Sequence, residues 1–199
     1  MAEPTISLVI ATVTRPTLAR SLASLVGQDW RPGDEVLVVG DGPQPVANEL
    51  CGLFAARLPV RYVENLGERG IWGHRPRNWV LDTRQAQGAY LMALDDDDEY
   101  TPSAIRAARA AFVACPSPRP HIFRMSGHPS NPLLWSEPVF REANFGTPCI
   151  AAPNDPARLG RYGLRYAGDF DFAASTCEHY PGGPVWCEAV VCRVRPEPR

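Results

Sequence analysis

Four aspartates and a glutamate stand in a row at Asp95-Asp96-Asp97-Asp98-Glu99, directly after the apolar run Tyr90 to Leu94. Like charges this close repel: a pair about 4 Å apart costs about 1 kcal/mol in bulk water and about 4 kcal/mol at an effective dielectric of about 20. A divalent cation offsets that repulsion. Hard carboxylate oxygens suit Mg2+ or Mn2+, which keep waters and share their remaining positions with substrate phosphates. On an extended chain Asp95 and Asp97 point to one side, Asp96 and Asp98 to the other. The competing reading is a solvated acidic loop with splayed carboxylates, and the position at the end of an apolar strand argues against it. Two histidines bear on the same chemistry. His74, beside Arg75 and Arg77, is placed to face phosphates, whereas His179 on a helical stretch reads as structural or surface.

All 20 basic residues are arginine, because the 199-residue chain contains no lysine. Mechanisms that need lysine as nucleophile, Schiff base or phosphate clamp are thereby excluded. The formal net charge of −2 carries no global field to draw the chain to nucleic acid, and 45% hydrophobic residues suffice for a real core. One domain is expected over 1–199, divided into a first half, 1–115, and a second, 116–199. The six cysteines show no C-x-x-C spacing and read as reduced thiols. The start lacks a signal-peptide pattern, and no apolar run approaches the roughly 20 residues of a membrane span. A cytoplasmic protein is expected, and self-association into a homo-oligomer is compatible with this composition.

The elements that must position the acids alternate in the first half. Ile6 to Ala11 reads as a buried strand, followed by a helix carrying Leu18, Leu22 and Leu25 up to Gly27. A second strand over Glu35 to Val39 closes in Gly40-Asp41-Gly42 and leads to a helix over Val46 to Ala56. A third strand over Val60 to Val63 precedes a loop at Asn65 to Gly73 and a helix around Asn78 to Gln87. The fourth strand, Tyr90 to Leu94, runs into the aspartates, and an Ala/Arg-rich helix then ends near Cys115. Strands separated by helices argue for an α/β fold, a mostly parallel sheet with helices on both faces. Such sheets bind ligands beyond the carboxyl ends of their strands. Thr12, Asp41, Asn65 and the aspartate run all fall there.

After Cys115 prolines break up the pattern. Short strands are expected at His121 to Met125, Val139 to Phe140, Cys149 to Ala152 and Val185 to Val194, with a helix near Phe170 to His179. Proline at this density favours edge strands and structured loops, so this half reads as a lid or acceptor platform laid beside the first. Trp72, Trp79, Trp135 and Trp186 would offer stacking surfaces to a ligand where exposed, and the segment Ser130 to Trp135 is a candidate pocket lining.

Ile10-Ala11-Thr12-Val13-Thr14-Arg15-Pro16, with Leu22-Ala23-Ser24-Leu25 and Gln28, resembles the opening strand and first helix of the family 2 glycosyltransferases of the GT-A fold. Val38-Val39-Gly40-Asp41-Gly42 is similar to that family's V-V-D-D-G. Asn65, Gly67 and Gly70 with Arg77-Asn78 resemble its N-x-G-x-x-x-A-R-N, and Leu94 to Asp98 resembles its L-D-x-D-D. The blocks agree in order and spacing over roughly residues 5–115. The resemblance implies a GT-A, Rossmann-like sheet and a nucleotide-diphosphate sugar donor. Thr12, Arg15, Asp41, Arg77, Asp95 and Asp96 would surround the nucleotide sugar, and Asp95 and Asp97 would hold Mn2+ or Mg2+ against the diphosphate. The second half, expected to bind an acceptor glycan or small molecule, would supply the base of an inverting transfer. In the family an E-D pair before a helix does this. The aspartate aligns with Asp169 of Gly168-Asp169-Phe170-Asp171, and Asp171 is the fallback; helix capping is the plain alternative for Asp169. Two acids of the family pattern are glycines here, Gly40 and Gly168.

A haloacid-dehalogenase-like phosphatase also puts D-x-D after an apolar strand, but after its first and with a downstream lysine. A sugar nucleotidyltransferase would open with a glycine-rich loop where this chain has Ala11 to Thr14. A non-catalytic nucleotide-sugar-binding module would explain the two missing acids, and donor hydrolysis separates it from an enzyme.

Overall fold

A computed structural model describes residues 3–129 and 131–194; Ser130, in the candidate pocket segment, lies outside them. Strand β1 (Ile6–Thr12) is buried along its whole length, and β2 (Glu35–Gly40) over all but its first residue. Near-continuous apolar runs of this kind belong to parallel strands covered on both faces. With β3 (Val60–Glu64) and β4 (Tyr90–Asp95) they form a parallel array in the order β3-β2-β1-β4. The crossovers are α1 (Leu18–Leu25), α2 (Pro45–Phe54) and α3 (His74–Asp82). The first two step outward from β1 and the third returns past it, so right-handed connections place α3 on the opposite face.

The second half does not lie beside this array; it extends the same sheet. Strand β5 (Glu99–Tyr100) and helix α4 (Ala104–Ala114) lead into β6 (His121–His128) and β7 (Asn131–Leu134). After a short 3-10 turn at Thr147–Cys149, β8 (Ile150–Pro153) pairs antiparallel with both β4 and β6. Helix α5 (Gly168–Cys177) and strand β9 (Val185–Arg193) complete the chain. The order is β3-β2-β1-β4-β8-β6-β9-β5, with β7 on β6. Strands β1 to β4, β6 and β9 run one way; β5, β7 and β8 run the other.

The prolines permit an interior position because they stand at element ends. Pro148 is in the 3-10 turn, Pro153 closes β8, and Pro132 is on β7, off the main path. No strand forms at Val139 to Phe140. The Asn144 amide instead binds the carbonyls of Glu137 and Val139 and shapes a loop, and Phe140 packs with Phe145 and Phe170. The third helix begins at His74 rather than near Asn78. Pro76 falls in its first turn, where a missing N–H costs nothing because it has no partner within the helix. No helix among the described residues is long and apolar enough to cross a membrane, and all six cysteines are free thiols.

Candidate active site

The register sets the site. Thr12 pairs with Gly40, Gly40 with Glu64 and Ala11 with Asp95, so four parallel strands end on one line and the next residues enter one crevice. The chain moves away from β1 through β2 on one side and comes back to β4 on the other. That divergence is the switch point where α/β sheets bind ligands. The Thr12 hydroxyl spans it, donating to Asp96 Oδ2 at 2.7 Å and accepting from the Thr14 backbone N–H at 2.8 Å.

The acids alternate in burial. Asp96 and Asp98 are buried, while the side chains of Asp95 and Asp97 are 37% and 27% exposed. Each exposed member meets an arginine. Arg77 Nη2 donates to Asp95 Oδ1 at 2.5 Å, and Arg15 Nη1 donates to Asp97 Oδ2 at 2.5 Å. Burial pushes the Asp97 carboxyl above its ordinary range against the pull of Arg15, and Asp95 and Asp96 push the same way. Burial likewise raises Asp96, against the hydroxyl of Thr12 and the charge of Arg15. Among the described residues no three His, Cys, Asp or Glu side chains converge into a metal cage. The donor set is therefore two carboxylates with accessible hard oxygens, which fits an ion that completes its sphere with water and phosphate.

Asp41 stands at the neighbouring strand end. Its backbone N–H donates to the Thr12 carbonyl at 2.9 Å, and its Oδ2 accepts from the Gly70 N–H at 2.7 Å. Its Oδ1 is buried with no partner among the described residues. A buried acceptor left open costs about 1–3 kcal/mol, which a donating ligand group would recover. Gly40 has a local reason: a Cβ there would overlap the hydroxyl of Tyr62, which accepts from the Gln44 N–H at 2.9 Å. Asn65 is buried and folds its own loop, donating to the Glu68 carbonyl and accepting from the Gly67 N–H.

From the other wall, α5 brings Asp169 in its first turn, where Oδ1 accepts from the Phe170 N–H at 2.8 Å. Burial pushes this carboxyl up to about 6; the charge of Asp95 adds to the rise, and Arg77 and the backbone N–H of Phe170 oppose it. Asp171 is placed differently. Both its oxygens bind the Arg165 guanidinium, at 2.8 and 2.6 Å, which holds the carboxyl below the usual range. His74 offers no exposed ring to a phosphate. It is buried, stacks on Tyr162 at 5.5 Å, and occupies the space that a Cβ on Gly168 would need. His179 is exposed beyond the far end of α5.

Sequence reasoning missed the loop between β8 and α5. Asn78 ties it to α3 in both directions, donating to the Tyr162 carbonyl and accepting from the Tyr162 N–H, both at 2.8 Å. Tyr162 then stacks on Phe172 at 4.4 Å. The signal available was the doubled Arg-Tyr of Arg161-Tyr162 and Arg165-Tyr166 ahead of the aspartates.

The profile of glycosyl transferase family 2 matches residues 7–114, just over half of the chain. The chain belongs to that family. Membership displaces the phosphatase and nucleotidyltransferase readings. No curated protein sequence matches significantly, but solved structures do. The crystal structure of S. aureus TarS superposes with a TM-score of 0.74 at 17% identity, over 98% of this chain and 37% of that one. The TarS 1–349 structure in complex with UDP-GlcNAc gives 0.73 at 18%, over 98% and 60%. The mannosyltransferase PcManGT from Pyrobaculum calidifontis, in complex with GDP-Man and Mn2+, gives 0.72 at 21%, over 99% and 59%. At these identities the likeness is one of fold, and it is the GT-A sheet of a family 2 protein that is shared. The chain spans between 37% and 60% of the length of these structures.

Proposed function

We propose that this protein is a metal-dependent inverting glycosyltransferase that moves a sugar from a nucleotide-diphosphate donor to a hydroxyl of an acceptor. The observation that carries the reading is the buried Asp169 carboxyl, raised to about 6 and in electrostatic reach of Asp95 and Arg77 across the switch-point crevice. The nucleotide sugars and Mn2+ bound by the solved relatives support it. In this reading residues 1–115 bind the donor and 116–199 the acceptor within one domain. Free thiols suit the reducing cytoplasm.

Thr12, Arg15 and Asp41 line the crevice for the nucleoside, and the open Asp41 Oδ1 accepts from one of its N–H or O–H groups. Asp95 and Asp97 would hold Mn2+ or Mg2+, which when bound neutralises charge on the departing diphosphate. Asp96, fixed by Thr12, keeps the turn between them in shape. Arg77 and Arg15 release carboxylate oxygens as the donor enters, Arg77 to contact phosphate and Arg15 the nucleoside. The acceptor hydroxyl attacks the anomeric carbon from the face opposite the diphosphate and passes its proton to Asp169 as the C–O bond to the diphosphate breaks. A carboxyl titrating near 6 is ionised at neutral pH yet basic enough for that work. Asp171, neutralised by Arg165, is the weaker candidate.

The test is release of nucleoside diphosphate from UDP-GlcNAc and GDP-mannose with Mn2+, with and without EDTA. Slow metal-dependent hydrolysis of one donor is expected. Donor binding with no turnover would replace the enzyme by a binding module.

A further inference from the structure

Of the tryptophans flagged for stacking, one is open. Trp72 is 61% exposed, whereas Trp135 is buried with its indole N–H on the Ile122 carbonyl, and Trp79 and Trp186 pack against the core. The Trp72 ring meets Tyr166, itself 78% exposed, with centroids 5.7 Å apart and planes at 87°. An edge-to-face pair uses one edge and one face, so the remaining ring surface is free. Single exposed apolar side chains need no explanation. These two rings come from separate loops and are held in place.

Trp72 lies in a run of four residues with positive φ: Gly70 (85°), Ile71 (57°), Trp72 (51°) and Gly73 (77°). For a β-branched and a bulky aromatic residue this geometry is strained, and it persists only where the surroundings enforce it. Here the His74 N–H donates to the Ile71 carbonyl at 2.8 Å, and Arg77 Nη1 donates to the Trp72 carbonyl at 3.2 Å. The strained backbone thus ties the exposed indole to the arginine that holds Asp95. Tyr166 follows Arg165, which is clamped by Asp171 and Glu142, and sits in the turn whose Gly168 N–H donates to the Arg165 carbonyl at 3.0 Å. That turn opens α5, so Tyr166 is held three residues ahead of Asp169 at the helix start. Exposed ring surface, with the Glu142-paired Arg165 next to Tyr166 in the chain and Arg75 three residues after Trp72, matches a pyranose, which offers a face of C–H groups to an aromatic ring and a rim of hydroxyls to charged side chains.

We propose that Trp72 and Tyr166 form the platform on which the acceptor's sugar ring stacks, so that the acceptor is a saccharide; this rests on the transferase reading above. The platform delivers a ring hydroxyl toward Asp169 without touching the nucleotide. Its test is calorimetric titration of the full chain with chitotriose, maltotriose and mannotriose, with UDP and GDP titrated in parallel in the presence of Mn2+. At least one trisaccharide binds saturably. Trp72→Ala and Tyr166→Ala each weaken it about tenfold or more, consistent with loss of a stacked ring, while Tyr166→Phe retains it. Nucleoside diphosphate binding stays unchanged in all three variants, which also shows that they fold. Absence of binding by all three sugars, or binding that survives Trp72→Ala, overturns the proposal. So does a change in self-association caused by Trp72→Ala, which would make the pair a protein contact. Failure of the transferase reading would register separately, as a native chain that binds neither diphosphate.

Discussion

The protein builds a buried arginine–aspartate pair at each end of its parallel strands, and the two are finished differently. At the start of β2, Asp34 is wholly buried and accepts from Arg109 Nη2 at 2.5 Å and from the backbone N–H groups of Ile6 and Arg31, both at 2.8 Å. Arg109 in turn binds the carbonyls of Pro4 and Asp29. At the end of β4, Asp95 pairs with an equally buried Arg77 but leaves 37% of its side chain in solvent, next to three more aspartates and a glutamate. The first pair is closed and ties α4 to the strand starts. The second is open, and the free energy left unspent there is available to a ligand. A pair whose carboxylate is wholly buried with both oxygens hydrogen-bonded reads as architecture; one with accessible oxygens in a like-charged cluster reads as a site.

The largest effect is expected from Asp169→Asn. It should cut transfer by about two to four powers of ten, the contribution of a general base, and leave calorimetric donor binding intact. An equal loss in Asp171→Asn instead would move the base to the arginine-paired residue. Next comes the closed pair: Arg109→Ala strands a carboxylate at zero exposure and should cost about 3–5 kcal/mol in urea unfolding, with no change in nucleotide affinity. Asp95→Asn should do the reverse, costing only about 1–3 kcal/mol because the amide oxygen still accepts from Arg77, while abolishing metal-dependent nucleotide binding. Equal stability losses in the two variants would erase the contrast between the ends.

The pH dependence sharpens it further. Asp169 titrates near 6 in the folded chain and near the ordinary 3.8 when unfolded, so the native state holds the extra proton between those values. Its contribution to stability is therefore present at low pH and is lost as pH rises through about 6. Asp169→Asn should make the protein more stable than the native chain above that pH, on the order of 2–3 kcal/mol, and equal to it near pH 4. Transfer by the native chain should rise through pH 6 and level off. The smallest effect concerns the neighbouring strand end: Gly40→Ala, forced against the Tyr62 hydroxyl and, at 2.6 Å, the Gly42 carbonyl oxygen, should lower stability by about 1–3 kcal/mol in thermal melts.

Much of the first half was legible because β1, β2 and β4 are continuous apolar runs that end in polar residues, and the register then carries Thr12, Asp41 and Asp95 to one edge. The interior position of β8 was not legible. Ile150 to Pro153 has the composition of any short edge strand, and only pairing with both β4 and β6 identifies it. The two glycines that replace family acids show the same limit. Gly40 and Gly168 were visible as departures, but what a Cβ would meet there is the Tyr62 hydroxyl in the first case and the Gly163 carbonyl oxygen and the His74 ring in the second, brought in by the fold. Trp72 could be flagged as an aromatic near the site, yet its exposure and its partner Tyr166 follow from two loops far apart in sequence.

The central claim is that the open carboxylates at the end of β4 hold a divalent ion against a diphosphate. Calorimetric titration of UDP and GDP into the native chain and into Asp97→Asn, with and without Mn2+, addresses it directly. The account predicts binding of at least one diphosphate by the native chain that requires Mn2+ and disappears in the variant. Binding that needs no metal, or that Asp97→Asn retains at full strength, would contradict it.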